Sequence, residues 1–244
     1  MSFIGDYLTS PEALGLKRLP ARAKFARKRG ATALDLDGEW KFQGFYAPEQ
    51  VPDEVLKPGF DDSSWGTMRV PSSWMEVPGF DAPQYTNVTM PFAGRPPSCP
   101  EHDPTGVYRR TFSVETPAEV STLVFDGVEG CFAVWVNGEF AGSSKEGRSA
   151  VEFDVTKFIK AGENTLAVAV AKFSEATYLE DQDHWYMPGI TRHVELVGER
   201  SARIFDLFAR TTLAGDCKTG VLDFEAFIAS AKEDVAAIVG KIGK

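Results

Sequence analysis

The residues best suited to chemistry lie in the stretch 178–190, YLEDQDHWYMPGI. It gathers the carboxylates Glu180, Asp181 and Asp183, the amide of Gln182, the imidazole of His184 and the rings of Tyr178, Trp185 and Tyr186 beside a Pro188-Gly189 turn. Large rings need burial and carboxylates need partners or water, so a run that mixes them this densely reads as the lining of a polar site. Carboxylates this close repel one another unless some face water or meet a cation or a donor-rich ligand. If the segment is extended, Asp181 and Asp183 share one face while Glu180, Gln182 and His184 share the other. A solvated acidic loop is the plainer reading, and the adjacent Trp185 and Tyr186 weigh against it.

A second constellation is 78–91, PGFDAPQYTNVTMP, in which Asn87 both donates and accepts hydrogen bonds. Sugar hydroxyls are themselves donors and acceptors, so an amide suits them. An isolated Asn more often closes a turn, and Tyr85 with the flanking prolines favours the site reading here. The Asn87-Val88-Thr89 sequon is read as accidental. His102, His184 and His193 lack the spacing that sets two imidazoles on one helix face, so a zinc site is not expected. A hard cation on Asp183 and carbonyl oxygens is chemically reasonable. Neither a GxSxG elbow, a phosphate loop nor a dinucleotide fingerprint occurs in the chain.

The elements that must position these residues are short strands between turn residues. Asn137-Gly138 marks a two-residue hairpin between strands near 132–136 and 139 onward. Further strands are expected near 107–114, 123–126, 150–153, 165–171 and 193–197, with one helical turn at 155–159 before Ala161-Gly162. This pattern predicts an all-β, antiparallel sandwich of jelly-roll type between about 37 and 198. Trp40, Phe42, Trp65, Trp74, Phe125, Phe132, Trp135, Phe153 and Phe158 are expected to pack its core. The register restarts at 203–213 and 220–228, two strands that suit the opening of an immunoglobulin-like sandwich, followed at 229–244 by helical spacing.

With 244 residues and 43% hydrophobic content the chain can bury a sizeable core. A net charge of -9 argues against nucleic acid as a partner. The basic run 17–29, with seven positive charges in thirteen residues, is read instead as an N-terminal arm on an acidic neighbouring surface. No stretch is apolar enough to suggest a membrane span, and the start shows neither half of a secretory signal. Cys99, Cys131 and Cys217 are read as free thiols, and a cytoplasmic protein is expected.

Several segments together resemble the N-terminal region of the large bacterial β-galactosidases of glycoside hydrolase family 2. They are Leu36-Asp37-Gly38-Glu39-Trp40-Lys41-Phe42, Val70-Pro71-Ser72-Ser73-Trp74, Tyr85-Thr86-Asn87-Val88-Thr89, Pro104-Thr105-Gly106, Phe125-Asp126-Gly127-Val128, Glu152-Phe153-Asp154, Ala161-Gly162-Glu163-Asn164 and the 178–183 run, in the family's order. The resemblance implies an N-terminal arm over 1–30, a jelly-roll, galactose-binding-like domain over 31–200 and the start of an immunoglobulin-like domain over 201–244. It implies that Asn87 bonds galactose hydroxyls and that Asp183 bonds the sugar and helps hold sodium. Magnesium is the family's other ion. Lys145 stands where the enteric enzymes have Gln, a departure that weighs against a structural magnesium contact at that point. His184 replaces a commonly apolar residue.

The family's retaining hydrolysis of β-galactosides, lactose among them, uses two carboxyl groups about 5 to 5.5 Å apart. Both belong to a barrel that this sequence does not contain, so no catalytic residue is expected here. The chain is expected to be a sugar-binding N-terminal piece whose partners are the β-galactoside and the remainder of the enzyme. Intact enzymes of the family are homo-oligomers, and the 17–29 arm is a candidate interface. A freestanding carbohydrate-binding module, or a piece that complements a separate catalytic chain, are the alternatives.

Overall fold

The computed structural model describes residues 2–22, 31–85, 89–180 and 183–230. Its strands are β1 (Gly15–Leu16), β2 (Thr32–Asp35), β3 (Gly38–Phe45), β4 (Gly66–Val70), β5 (Gln84–Tyr85), β6 (Thr105–Val114), β7 (Val120–Phe125) and β8 (Cys131–Val136). They continue with β9 (Glu139–Ser144), β10 (Val151–Asp154), β11 (Gly162–Ala171), β12 (Trp185–Tyr186), β13 (Val194–Glu199), β14 (Arg203–Leu213) and β15 (Gly220–Ala229). A single α-helix, α1 (Ser2–Leu8), precedes them among the described residues. No helix there is long and apolar enough to cross a membrane.

Alternation along the strands builds the sandwich. A seven-stranded antiparallel sheet, β1-β9-β8-β11-β6-β3-β4, faces a four-stranded one, β10-β7-β13-β2. Inward residues of both meet in one core, with Phe132, Val134, Leu166, Val168 and Tyr108 from the larger sheet against Leu123, Phe125, Phe153 and Leu196 from the smaller. The alternate residues of the larger sheet, Ala133, Trp135, Ala167, Ala169 and Val107, face outward, yet they too are buried. Tyr7 and Leu8 of α1 cover them together with Val51, Val55, Leu56 and Trp65 from the segment between β3 and β4. Small alanines leave room for this cover, and buried Arg109 pins it, pairing with Asp62 at 2.8 Å and donating to the Lys57 carbonyl at 3.1 Å. The larger sheet is thus apolar on both faces, which is why β8 and β11 read as continuous hydrophobic runs.

The expected hairpin is present. Asn137 and Gly138 take φ of 53° and 85°, the left-handed pair that a two-residue turn needs, and Val136 pairs with Glu139 across it. The single helical turn at 155–159 is also present, with the Ile159 amide on the Val155 carbonyl at 3.2 Å. All three cysteines are free thiols. Of the basic run, Arg22 sits 2.9 Å from Glu152 and Arg18 3.8 Å from Glu146, while Lys17 donates to the Phe140 carbonyl at 3.0 Å. Residues 23–30 and the expected tail helix beyond 230 lie outside the described residues.

β14 and β15 pair with each other over residues 203–229 and join neither sheet of the sandwich. From Leu207 onward β14 is exposed at every residue. The Ser201 amide on Glu119 at 2.9 Å and an Arg203–Glu199 contact at 3.2 Å hold the base of this hairpin to the sandwich.

Candidate functional site

The segments 78–91 and 178–190 meet in a sheet of their own. β5 pairs antiparallel with β12, setting Tyr85 opposite Trp185 and Gln84 opposite Tyr186. The Tyr85 hydroxyl donates to Asp183 Oδ1, and that bond to a carboxylate pushes the phenol's pKa up. The Tyr85 and Trp185 rings stand 5.7 Å apart, both about half exposed at 47% and 55%. An exposed carboxylate held by one of two accessible rings can accept from hydroxyls while the rings cover apolar C–H faces. Asn87 and Asp181 lie outside the described residues.

Each segment is tied to the sandwich at buried points. Asp81 accepts from the Trp74 indole N–H at 3.1 Å, from Lys172 Nζ at 2.8 Å and from the Ala82 amide at 2.8 Å. Lys172 follows β11 directly, and its side chain and that of Asp81 are 3% and 8% exposed. The next residue, Phe173, donates its amide to Asp103 at 2.9 Å. Burial drives the Asp103 carboxyl well above the usual carboxylate range. A Ser174/Thr177 capping box then starts the short helix Glu175–Tyr178. Phe92 packs edge-on against Phe173 and Tyr178 at 5.0 and 5.5 Å, and Tyr178 donates to the Ser98 carbonyl at 2.9 Å.

Downstream of the site, Pro188 accepts from the Trp74 amide and the Ser73 hydroxyl, and Gly189 exchanges two backbone bonds with Glu129. Gly189 takes φ of 134°, and a Cβ there would sit 2.9 Å from the Tyr108 hydroxyl and 3.0 Å from the Ser72 carbonyl, so only glycine fits. Behind the loop lies a polar cavity of about 30 Å³, lined by Lys145, Arg148, Lys172, Glu180 and Tyr186 and large enough for water. Burial raises the Glu180 carboxyl, with Arg148 opposing the shift.

Asp183 offers the carboxylate oxygen that sodium requires, though a hard cation's shell takes several such donors and Asp183 is one. The surroundings of Lys145 do not fit magnesium. Its Nζ donates to Glu175 Oε1 and to the Ser10 carbonyl, both at 2.7 Å, and lies 4.5 Å from the Tyr7 ring centroid. A positive charge already stands among the oxygens a metal would use. The structure also brings His193 beside Asp37 at 2.8 Å and Asp35 at 3.7 Å, a cluster that sequence spacing did not reveal. The second oxygen of Asp37 accepts the Val194 amide at 2.9 Å, so this group closes the β2–β3 corner onto β13.

Residues 34–199 match the family model described as "Glycosyl hydrolases family 2, sugar binding domain". The chain belongs to glycosyl hydrolase family 2. Among its relatives is a β-galactosidase of Vibrio cholerae serotype O1, 44% identical over 186 residues, covering 75% of this chain and 18% of that protein. A β-galactosidase of Photobacterium profundum is 38% identical over 232 residues, covering 91% and 22%. The chain therefore spans about a fifth of the length of these family 2 relatives. Among solved structures, a β-glucuronidase of an uncultured Clostridium species superposes with a TM-score of 0.64 at 24% identity, covering 86% of this chain and 35% of that one. That likeness carries the jelly-roll fold of the family's N-terminal domain.

Sequence reasoning marked Asp183 and the Asn87 segment but not what holds them. Asp81 and Lys172, 91 positions apart, form the anchor of the first segment. A lysine ending the apolar run Leu166–Ala171 was the available signal, since a charge placed there is buried unless the strand stops.

Proposed function

We propose that this chain is the sugar-binding region of a β-galactosidase, with Asn87 and Asp183 bonding galactose hydroxyls and the rings of Tyr85 and Trp185 flanking them. The observation that carries this reading is the β5–β12 pairing, with Tyr85 bonded to Asp183, which joins the segment whose amide suits a sugar to the carboxylate-rich segment read as a polar site. In this reading residues 31–200 form the sugar-binding domain and residues 201–244 open an immunoglobulin-like one. The 17–29 arm contributes to a homo-oligomer of the longer enzyme. Sodium sits at Asp183, magnesium belongs to the longer enzyme away from Lys145, and lactose is among the substrates in the cytoplasm. The carboxyl pair for retaining hydrolysis is supplied from beyond this chain, so Asp183 positions the sugar and does not react.

Titration of the chain with methyl β-galactoside, followed by amide chemical shifts, tests the reading. Shifts clustered on Tyr85, Asn87, Asp183 and Trp185, with weak affinity and none of them in Asp183→Ala, are expected. Shifts that are absent at saturating sugar, or that persist in Asp183→Ala, would overturn it. The same sample should leave a nitrophenyl β-galactoside intact.

A further inference from the structure

Lys145 follows β9 directly, in a chain position where the usual fate of a lysine is solvent. Its side chain is instead fully buried, at 0% exposure. The backbone of the same residue takes part as well, its amide donating to the Leu14 carbonyl at 2.9 Å, and the Tyr7 hydroxyl donates to that same carbonyl at 2.9 Å. Beyond it, Gly15 and Leu16 pair with Ser144 and Ser143 as β1. The N-terminal segment is thus laid along β9 and fastened at one end by a buried ammonium between a backbone carbonyl and a carboxylate. Both acceptors lie at 2.7 Å, the short range of charge-assisted hydrogen bonds.

A carbonyl oxygen and a carboxylate oxygen converging from distant parts of the chain are the donor types that a hard metal ion takes. We infer that Lys145 is a built-in cation: its ammonium stands in the position of such an ion and fastens the N-terminal segment to the Glu175 turn without metal. The Tyr7 ring face adds a third attraction suited to an ammonium, which a hydrated divalent ion would use poorly. Glu175 begins the short helix that leads into the Asp183 loop, so the N-terminal segment and the candidate sugar loop share one anchor.

The test follows amide hydrogen exchange of residues 7–16 in the full chain, with magnesium or with a chelator. In the wild type neither addition changes the exchange. Lys145→Gln, which keeps an oxygen ligand and vacates the charge, exchanges faster there by about tenfold or more in chelator, and magnesium slows it again. Lys145→Met also exchanges faster, and magnesium does not slow it. Glu175→Gln loosens the same residues through loss of the anion and is likewise unresponsive to magnesium. Magnesium protection of the wild-type segment overturns the inference, as does a Lys145→Gln chain that magnesium leaves unchanged. If Lys145→Gln folds only in magnesium the inference stands, and if it folds in neither solution the stand-in role is lost.

Discussion

β8 and β14 are both strands rich in large apolar side chains, yet β8 is buried at all six residues while β14 is exposed over its last seven. Each is hydrogen-bonded to a neighbouring strand, β8 at both edges and β14 at one. What differs is the third dimension: β8 has β9 and β11 as neighbours, the smaller sheet across one face and α1 with the 48–65 segment across the other. β14 has one neighbour, and Leu207, Phe208, Phe224 and Phe227 of the hairpin lie about half exposed. Pairing makes a strand, but stacking against another layer is what removes apolar surface from water and supplies the stability.

The largest test of that contrast is a pair of truncations. Phe125→Ala, at a side chain of 0% exposure ringed by Phe132 and Phe153, should cost about 3–5 kcal/mol in urea unfolding. Phe224→Ala in the hairpin should change stability by less than about 0.5 kcal/mol. Equal costs would mean that the hairpin buries its face in solution and would end the comparison. Next in size is the buried pair. Lys172→Met leaves the buried Asp81 carboxylate without its cation and should cost about 3 kcal/mol or more, whereas Lys172→Met with Asp81→Asn should recover part of it. A double variant no better than the single would show that the pair's charges do not matter.

A smaller effect concerns pH. The folded-state pKa of Asp103 lies above its unfolded value, so the native chain holds the proton longer and stability falls as pH rises between the two values. The slope over that window should approach 1.4 kcal/mol per pH unit, roughly one proton's worth. Asp103→Asn keeps an acceptor for the Phe173 amide, so it should flatten the slope without lowering the neutral-pH melting temperature. An unchanged slope removes Asp103 as its source. The smallest effect is chemical. Burial pushes the Cys99 thiol up to about 12 and raises Cys131 as well, while Cys217 is exposed in the hairpin turn. Iodoacetamide should label Cys217 in the native chain and all three thiols in urea. Native labelling of Cys131 would contradict a closed outer face.

Much of the sandwich was legible because its signals are local. Asn137-Gly138 can hardly be anything but a hairpin turn, and outside the sandwich the 203–213 strand was readable to the residue. The covering of the outer face was not legible, because Ala133, Ala167 and Ala169 give no hint of what will lie on them. At the site, residue type marked the carboxylates Glu180, Asp181 and Asp183, conspicuous beside rings, and the family resemblance singled out Asp183. Its partner Tyr85, the Lys172–Asp81 tie and the His193–Asp37 contact join residues 91 to 156 positions apart. Only the folded register brings such pairs together, and no periodicity announces them.

The β5–β12 ladder is two residue pairs long. A ladder so short has no stability of its own, so the entropy of gathering the two segments is met elsewhere: at Asp81, at the Phe173–Asp103 bond and at the Pro188 carbonyl. Any ligand that bridges the segments meets them already assembled, and its contacts go into affinity rather than into ordering the loops. Preorganisation here is therefore a property of the jelly roll, and weakening a buried anchor should loosen binding before it disturbs a single contact to the ligand.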